Sequence, residues 1–352
     1  MPPSSADLPT WADHANCRAL LRSGSKSFFA ASLLLPPRVR DPACAIYAFC
    51  RLADDAIDIE RGRLAALARL RERLDRAYAG RPFPISADRA FAEAVWRFGI
   101  PRTLPEALLE GFAWDAEARR YPDLPSLHAY AARVAASVGA IMALLMDQRD
   151  PHVVARACDL GIAMQLTNIA RDVGEDARAG RLYLPLDWLA EEGIDADAFL
   201  AAPRFTPGLA RVVARLLAEA ERLYTRAEAG IARLPLNCRA GIGAARMIYA
   251  EIGRAVERNG LDSVSMRAVV PKSRKVMLLA AARARSMFWP LTGLREPPLD
   301  AARYLVEAAV LAAPALAPAR GFDARVAWLV SLYDRLERRD RLPRAALIRA
   351  AR

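Results

Sequence analysis

Gln165, Asn168, Asp172 and Asp176 are spaced by three, four and four residues, so on a helix they share one face. That face would carry two carboxylates and two side-chain amides in a line. Burying such a row costs free energy unless a cation sits against it. A hard divalent cation fits the donors, because Mg²⁺ takes oxygen ligands and commonly arrives with a substrate's phosphates. A solvated polar face is the plainer alternative, but Leu166, Ile169, Ala170 and Val173 interleave the row and leave no clean polar side.

A second row matches it. Tyr47, Arg51, Asp54 and Asp58 step by four, three and four through an otherwise apolar, Ala-rich stretch. One acidic helix face means little by itself. Two that face each other across a cavity would hold several Mg²⁺ ions bridging a diphosphate.

The elements that must position these rows read as helices. Asp150-Pro151 supplies an N-cap and an N1 proline for the helix bearing the Gln165 row. Pro36-Pro37 precede the helix of the first row, with a second start at Asp41-Pro42 just inside it. Apolar residues recur at three and four over 64–78, and helices are expected over 10–22, 88–98, 104–119, 125–146, 207–232 and 236–259, with another from near 271. The loop after Asp176 reads as polar and mobile. No stretch alternates with period two for long, so the fold class is all-α. We place a catalytic domain over 1–287 and a helical C-terminal extension, packed on it, over 288–352. Two or three packed helices are the plainer reading of that extension, whose run 324–338 is amphipathic; a membrane-surface or partner contact is the minor one.

Three other stretches could do chemistry. Gly24-Ser25-Lys26-Ser27-Phe28 places hydroxyls, amides and an ammonium at a helix junction, which suits phosphate oxygens, although Ser-rich junctions are often plain caps. Tyr130 through Gly139 sets one tyrosine among small side chains, which allow close helix approach or leave room for a long apolar ligand. Arg267, Lys272, Arg274 and Lys275 form either a solvated basic patch or a diphosphate clamp.

The chain has 352 residues, 54% of them hydrophobic, enough for a large core. Its formal net charge is +11, and only Lys26, Lys272 and Lys275 are lysines, so the excess is arginine. Positive charge suits a diphosphate, a membrane surface or nucleic acid, and no RNA or DNA motif accompanies it. The five cysteines show no CxxC spacing and read as reduced core residues of a cytoplasmic protein. Three scattered histidines argue against zinc. The N-terminus carries no signal-peptide apolar region, and no apolar run of spanning length is expected: the stretch 301–317 is interrupted by Arg303, Glu307 and Pro314.

Together the motifs resemble the squalene/phytoene synthases. Asp54-Asp55-Ala56-Ile57-Asp58 after Tyr47 and Arg51 could equally be the DDxxD of a chain-elongating prenyltransferase. Asn168-Ile169-Ala170-Arg171-Asp172-Val173-Gly174-Glu175-Asp176 decides between them, because an elongating enzyme should show a second DDxxD. Ser25 through Phe28 and Tyr130 through Gly139 match too, and coverage runs over 19–279. Leu261-Asp262-Ser263-Val264-Ser265 and Arg267-Ala268-Val269-Val270-Pro271 fit the bacterial phytoene-synthase branch best. Gly24, where many relatives carry His, and Ala136, where they carry Gly, depart from the pattern.

The resemblance implies an isoprenoid synthase helical bundle with a central cavity and head-to-head condensation of two geranylgeranyl diphosphates to phytoene. It makes Asp54, Asp58, Asn168, Asp172 and Asp176 the ligands of Mg²⁺ or Mn²⁺. It makes Ser25, Lys26, Ser27, Tyr47, Arg51, Gln165, Arg171 and Tyr249 substrate contacts, and sets Tyr130 in the cavity beside the reacting carbons. By the same resemblance NADPH is not expected, ATP stimulation is compatible with the family, and the partners are allylic diphosphate substrates, a reversibly bound inner membrane face and downstream carotenoid enzymes. The alternatives are a squalene or dehydrosqualene synthase using farnesyl diphosphate, and a non-catalytic helical assembly protein, which should have lost carboxylates from one row.

Overall fold

Trp11–Gly24 (α1) begins where Thr10 caps it: its hydroxyl accepts from the Asp13 N–H while the Asp13 carboxylate accepts from the Thr10 N–H at 2.8 Å. The computed structural model describes residues 3, 7–59 and 63–312, and the side chains of 53–65 are not described. The chain divides into two units after Ala315, and the first contains everything below.

Ser25 ends α1 and at once caps Lys26–Ser32 (α2), which makes the junction a sharp corner. Pro37–Ile59 (α3) runs unbroken through Pro42. Arg63–Tyr78 (α4), Ser86–Phe98 (α5) and Thr103–Ala116 (α6) follow. Leu124–Ala131 (α7) and Ser137–Leu145 (α8) are joined by a π-helical turn, Ala132–Ala136, inside the span expected as one helix. Together Leu124–Leu145 is long and apolar enough to cross a bilayer, contrary to expectation, because Arg133 is its one charged residue. Two thirds of it is buried inside the protein, as a core helix is.

Pro151–Arg178 (α9) is the central element. Asp150 caps it, accepting from the His152 N–H at 2.8 Å. Leu186–Glu191 (α10) and Ala196–Ala201 (α11) are two short helices that periodicity does not reveal. Pro207–Ile231 (α12), Leu236–Arg258 (α13), Lys272–Arg285 (α14) and, after a 3₁₀ turn, Arg303–Val310 (α15) complete the series, with no strand among the described residues. Helices α8, α12, α13 and α15 all pack on α9, whose apolar residues are almost entirely buried. Residues 288–312 belong to this same unit: the fully buried Arg156 of α9 donates to the carbonyl oxygens of Gly293, Leu294 and Glu296 at 2.7–3.3 Å. The run 324–338 lies outside the described residues.

Two glycines set how closely α9 is approached. A Cβ on Gly161 would stand 2.6 Å from the Ala135 carbonyl oxygen and 2.8 Å from the Ala136 Cα, and one on Gly139 would collide with the Ala157 carbonyl. The small residues therefore do allow close helix approach, and the same side chains line a cavity. Gly161→Val is expected to cost about 3 kcal/mol and lower Tm by several degrees. A thermal melt followed by circular dichroism checks this; an unchanged Tm would mean that the helices part freely.

Candidate active site

The face of α9 that the spacing of Gln165, Asn168 and Arg171 defines opens on a cavity of about 710 Å³. Its mouth is polar. Ser25, Lys26 and Ser27 reach it from the α1–α2 corner, Tyr47 and Arg51 from α3, and Tyr249 from α13. Tyr130 lines it from α7. Phe28, Tyr47, Val138, Met142 and Tyr249 also line the top of a narrower apolar pocket of about 260 Å³, which continues past Met146 and Val153 to Gly230 and Leu234. Polar mouth and apolar arm adjoin, sharing these lining residues together with Gln165 and Asn168.

Electrostatics at the mouth are divided. Lys275 lines it, and its ammonium is held below the ordinary lysine range by burial, then by the charges of Lys26 and Arg171. Such a cluster is unfavourable without an anion between its members. The negative groups lie at the end of α9, where Asp172 is bonded to the lining residues Arg171 and Arg267, and neither Asp172 nor Asp176 itself lines the cavity. Burial pushes the Asp172 carboxyl up, but hydrogen bonds from Arg171 (2.7 Å) and Arg267 (2.8 Å) outweigh it and hold Asp172 below the carboxylate range. Asp176 is pushed up to about 7 by burial, then by the charge of Asp172, with Arg181 opposing at 3.9 Å.

This end of α9 carries the donor types that could hold a hard cation. Asn168, Asp172 and Asp176 offer oxygen donors along one face, and the Asp172 charge adds to burial in raising the Asp176 carboxyl. No three His, Cys, Asp or Glu side chains converge into a ready-made metal cluster among the described residues. Asp54 and Asp58 lie four residues apart on α3, and their side chains lie outside the described residues.

A loop is folded over the same end of α9. Gly260 and Leu261, both left-handed (φ 69° and 63°), turn the chain back after α13. The Gly174 N–H donates to the Ser263 carbonyl at 2.9 Å, and a Cβ at Gly174 would stand 2.7 Å from the Val264 Cα. Glycine within the motif thus lets the loop lie flat and carries Arg267 to Asp172. The basic span divides its work: Arg267 binds Asp172, Lys275 faces the cavity, and Arg274 reaches Glu251 of α13 at 2.9 Å.

Ser25 accepts from the Phe28 N–H at 3.3 Å and shares a hydrogen bond with the buried Tyr249 hydroxyl, so the corner and α13 hold each other. The Tyr47 hydroxyl fills the place a side chain at position 24 would take. Gly24 is therefore the partner of Tyr47's position.

Asp115 of α6 was not singled out by sequence. It lines the cavity and accepts from the Tyr130 hydroxyl at 3.0 Å and the Tyr183 hydroxyl at 2.7 Å. The Tyr130 and Tyr183 rings stack at 5.1 Å, with Tyr121 against Tyr130 at 5.2 Å. Burial, then the Asp115 charge, raises both the Tyr130 and Tyr183 phenols well above the ordinary value, so they stay protonated and donate.

The Squalene/phytoene synthase family matches residues 21–274. The phytoene synthase of Rhodobacter capsulatus is 55% identical over 305 residues, spanning 85% of this chain and 90% of that protein. That of Cereibacter sphaeroides is 51% identical over 353 residues, 96% of each chain. Among solved structures, a dehydrosqualene synthase in complex with ligand is similar with a TM-score of 0.71 at 32% identity, covering 78% of this chain and 96% of its own.

Proposed function

Because the chain belongs to the squalene/phytoene synthase family, and is an enzyme that transfers alkyl groups, we propose that it joins two geranylgeranyl diphosphates head to head to give phytoene for carotenoid biosynthesis. The observation that carries this reading is a cavity with a cationic lining that adjoins an apolar pocket and shares lining residues with it. A diphosphate fits the first and an isoprenoid chain the second. The lining of that pocket is mostly apolar, from Phe28 and Val138 to Met146 and Leu234.

Lys26, Arg51, Arg171 and Lys275 bind and orient diphosphate oxygens at the mouth. Asp54, Asp58, Asn168, Asp172 and Asp176 would hold Mg²⁺ or Mn²⁺, which supplies positive charge against the departing diphosphate when bound. As the first C–O bond breaks, the apolar walls exclude water that would trap the allylic cation. The second substrate's double bond attacks that cation, and loss of a proton gives the cyclopropylcarbinyl diphosphate. A second ionisation, a rearrangement and a second proton loss give phytoene. Asp115, held between Tyr130 and Tyr183, keeps negative charge within the cavity throughout.

A last step by proton loss needs a nearby base and no docked reductant. The chain acts at the cytoplasmic side of the membrane, bound there reversibly beside the downstream carotenoid enzymes that take its apolar product.

Purified protein with geranylgeranyl diphosphate and Mg²⁺ is expected to give phytoene equally with and without NADPH, read by extraction and chromatography. Farnesyl diphosphate, the substrate of the alternative reading, is the competing substrate to include. Better turnover of farnesyl diphosphate, or a hydrocarbon that forms only with NADPH, would replace this reading by a squalene-type one.

A further inference from the structure

Helix α14 is inverted for a helix on a protein surface. Its inner face is Leu278 and Ala282, buried against α13 and α2. Its outer face, by helical spacing, is Ser273, Val276, Met277, Ala280, Ala281 and Ala284, all exposed and none charged. Val276 is 65% and Met277 59% exposed, and just beyond the helix Met287 is 62%, Phe288 78% and Leu291 55% exposed. A contiguous apolar face of this kind marks an interaction site.

The charge around it selects the partner. Between Asp262 and Glu296 the chain has seven Arg or Lys and no Asp or Glu. Arg274 and Arg285 fix one edge of the helix to Glu251 and Glu228, while Lys272 and Arg283 border the other. Apolar residues flanked by arginine and lysine alone match a bilayer with anionic headgroups, which takes up the first and attracts the second. The face is also continuous with the cavity: Val269, 72% exposed, and Lys275 line its mouth.

We infer that the outer face of α14, extended by Met287, Phe288 and Leu291, docks on an anionic lipid surface so that the cavity mouth opens at the headgroups. This deepens the proposed function, since it gives an isoprenoid diphosphate a route from lipid to the mouth without crossing water. Phe288 and Met277 enter the acyl boundary, and the basic border sits among the phosphates.

The test uses the full chain and vesicles of phosphatidylcholine with or without phosphatidylglycerol, separated by flotation. The wild type is expected to float with the mixed vesicles and to release in high salt. M277E/F288E is expected to lower the bound-to-free ratio by about tenfold or more. Flotation of that variant equal to the wild type overturns the assignment. Both positions lie outside the cavity, so phytoene formation from detergent-dispersed substrate should stay within about twofold of wild type. Binding and turnover are read separately, so either reading can fail while the other stands. A polarity-sensitive dye on Met277→Cys, with unsubstituted protein as the labelling control, makes the outcome independent of the double variant's folding. Its emission should shift to the blue only when vesicles are added. A dye already shielded in solution and unchanged by vesicles means that this chain's remaining residues or a second copy cover the face, which also overturns the proposal.

Discussion

Asp172→Asn is expected to lower turnover by about a hundredfold, roughly 3 kcal/mol of barrier, with the fold retained. The substitution keeps shape and removes charge at a carboxylate with two duties. It is a proposed metal ligand, and it is the group to which Arg171 and Arg267 are fastened. Asparagine cannot neutralise two guanidiniums, so both are released toward the mouth as the proposed metal site loses a charged donor. Asp54→Asn on α3 is expected to cost as much, since a diphosphate held from one side only has lost half its counter-charge. The measurement is initial rate with geranylgeranyl diphosphate at saturating Mg²⁺, with circular dichroism as the folding control. Activity within a few-fold of wild type in either variant would sink the assignment of both rows.

What could be read in the chain beforehand follows from where the signal is stored. The row on α9 was legible because helical spacing converts sequence directly into a shared face, and because Asp150-Pro151 fixes the start of that helix. The all-α class followed from the same periodicity. Asp115 gave no such signal. It is one carboxylate beside Trp114, and only the packing of α6 against α7 and the loop at Tyr183 turns it into a hydrogen-bonded centre. The π-helical turn was invisible for a related reason: Ala132–Ala136 has ordinary helix-forming residues, and the turn lies where Ala135 and Ala136 meet Gly161 of α9, a tertiary contact that local spacing does not encode. Helices α10 and α11, six residues each, are too short for a period to declare itself. The basic span was half legible: its charge was plain, but its division among Asp172, the cavity and Glu251 depends on the left-handed turn at Gly260 and Leu261.

Asp115→Asn is expected to slow turnover by about a hundredfold, and more than Tyr130→Phe does. Sequence reading set Tyr130 beside the reacting carbons, yet its buried phenol is raised far above neutrality and already donates its proton. It cannot supply an anion to a carbocation at neutral pH. The carboxylate it bonds to can, and where water is excluded one fixed negative charge has a large effect on a developing positive one. Asparagine at 115 keeps the volume but removes the charge, and its amide N–H₂ faces one phenol that was built to donate. Tyr130→Phe removes one hydrogen bond and leaves the carboxylate with Tyr183, so a loss nearer tenfold is expected. Rates of both variants, with chromatography for accumulated cyclopropylcarbinyl diphosphate, measure the order. If Asp115→Asn stays within a few-fold of wild type while Tyr130→Phe is crippled, the charge-bearing role does not belong to Asp115 and the tyrosine hydroxyl itself handles the proton.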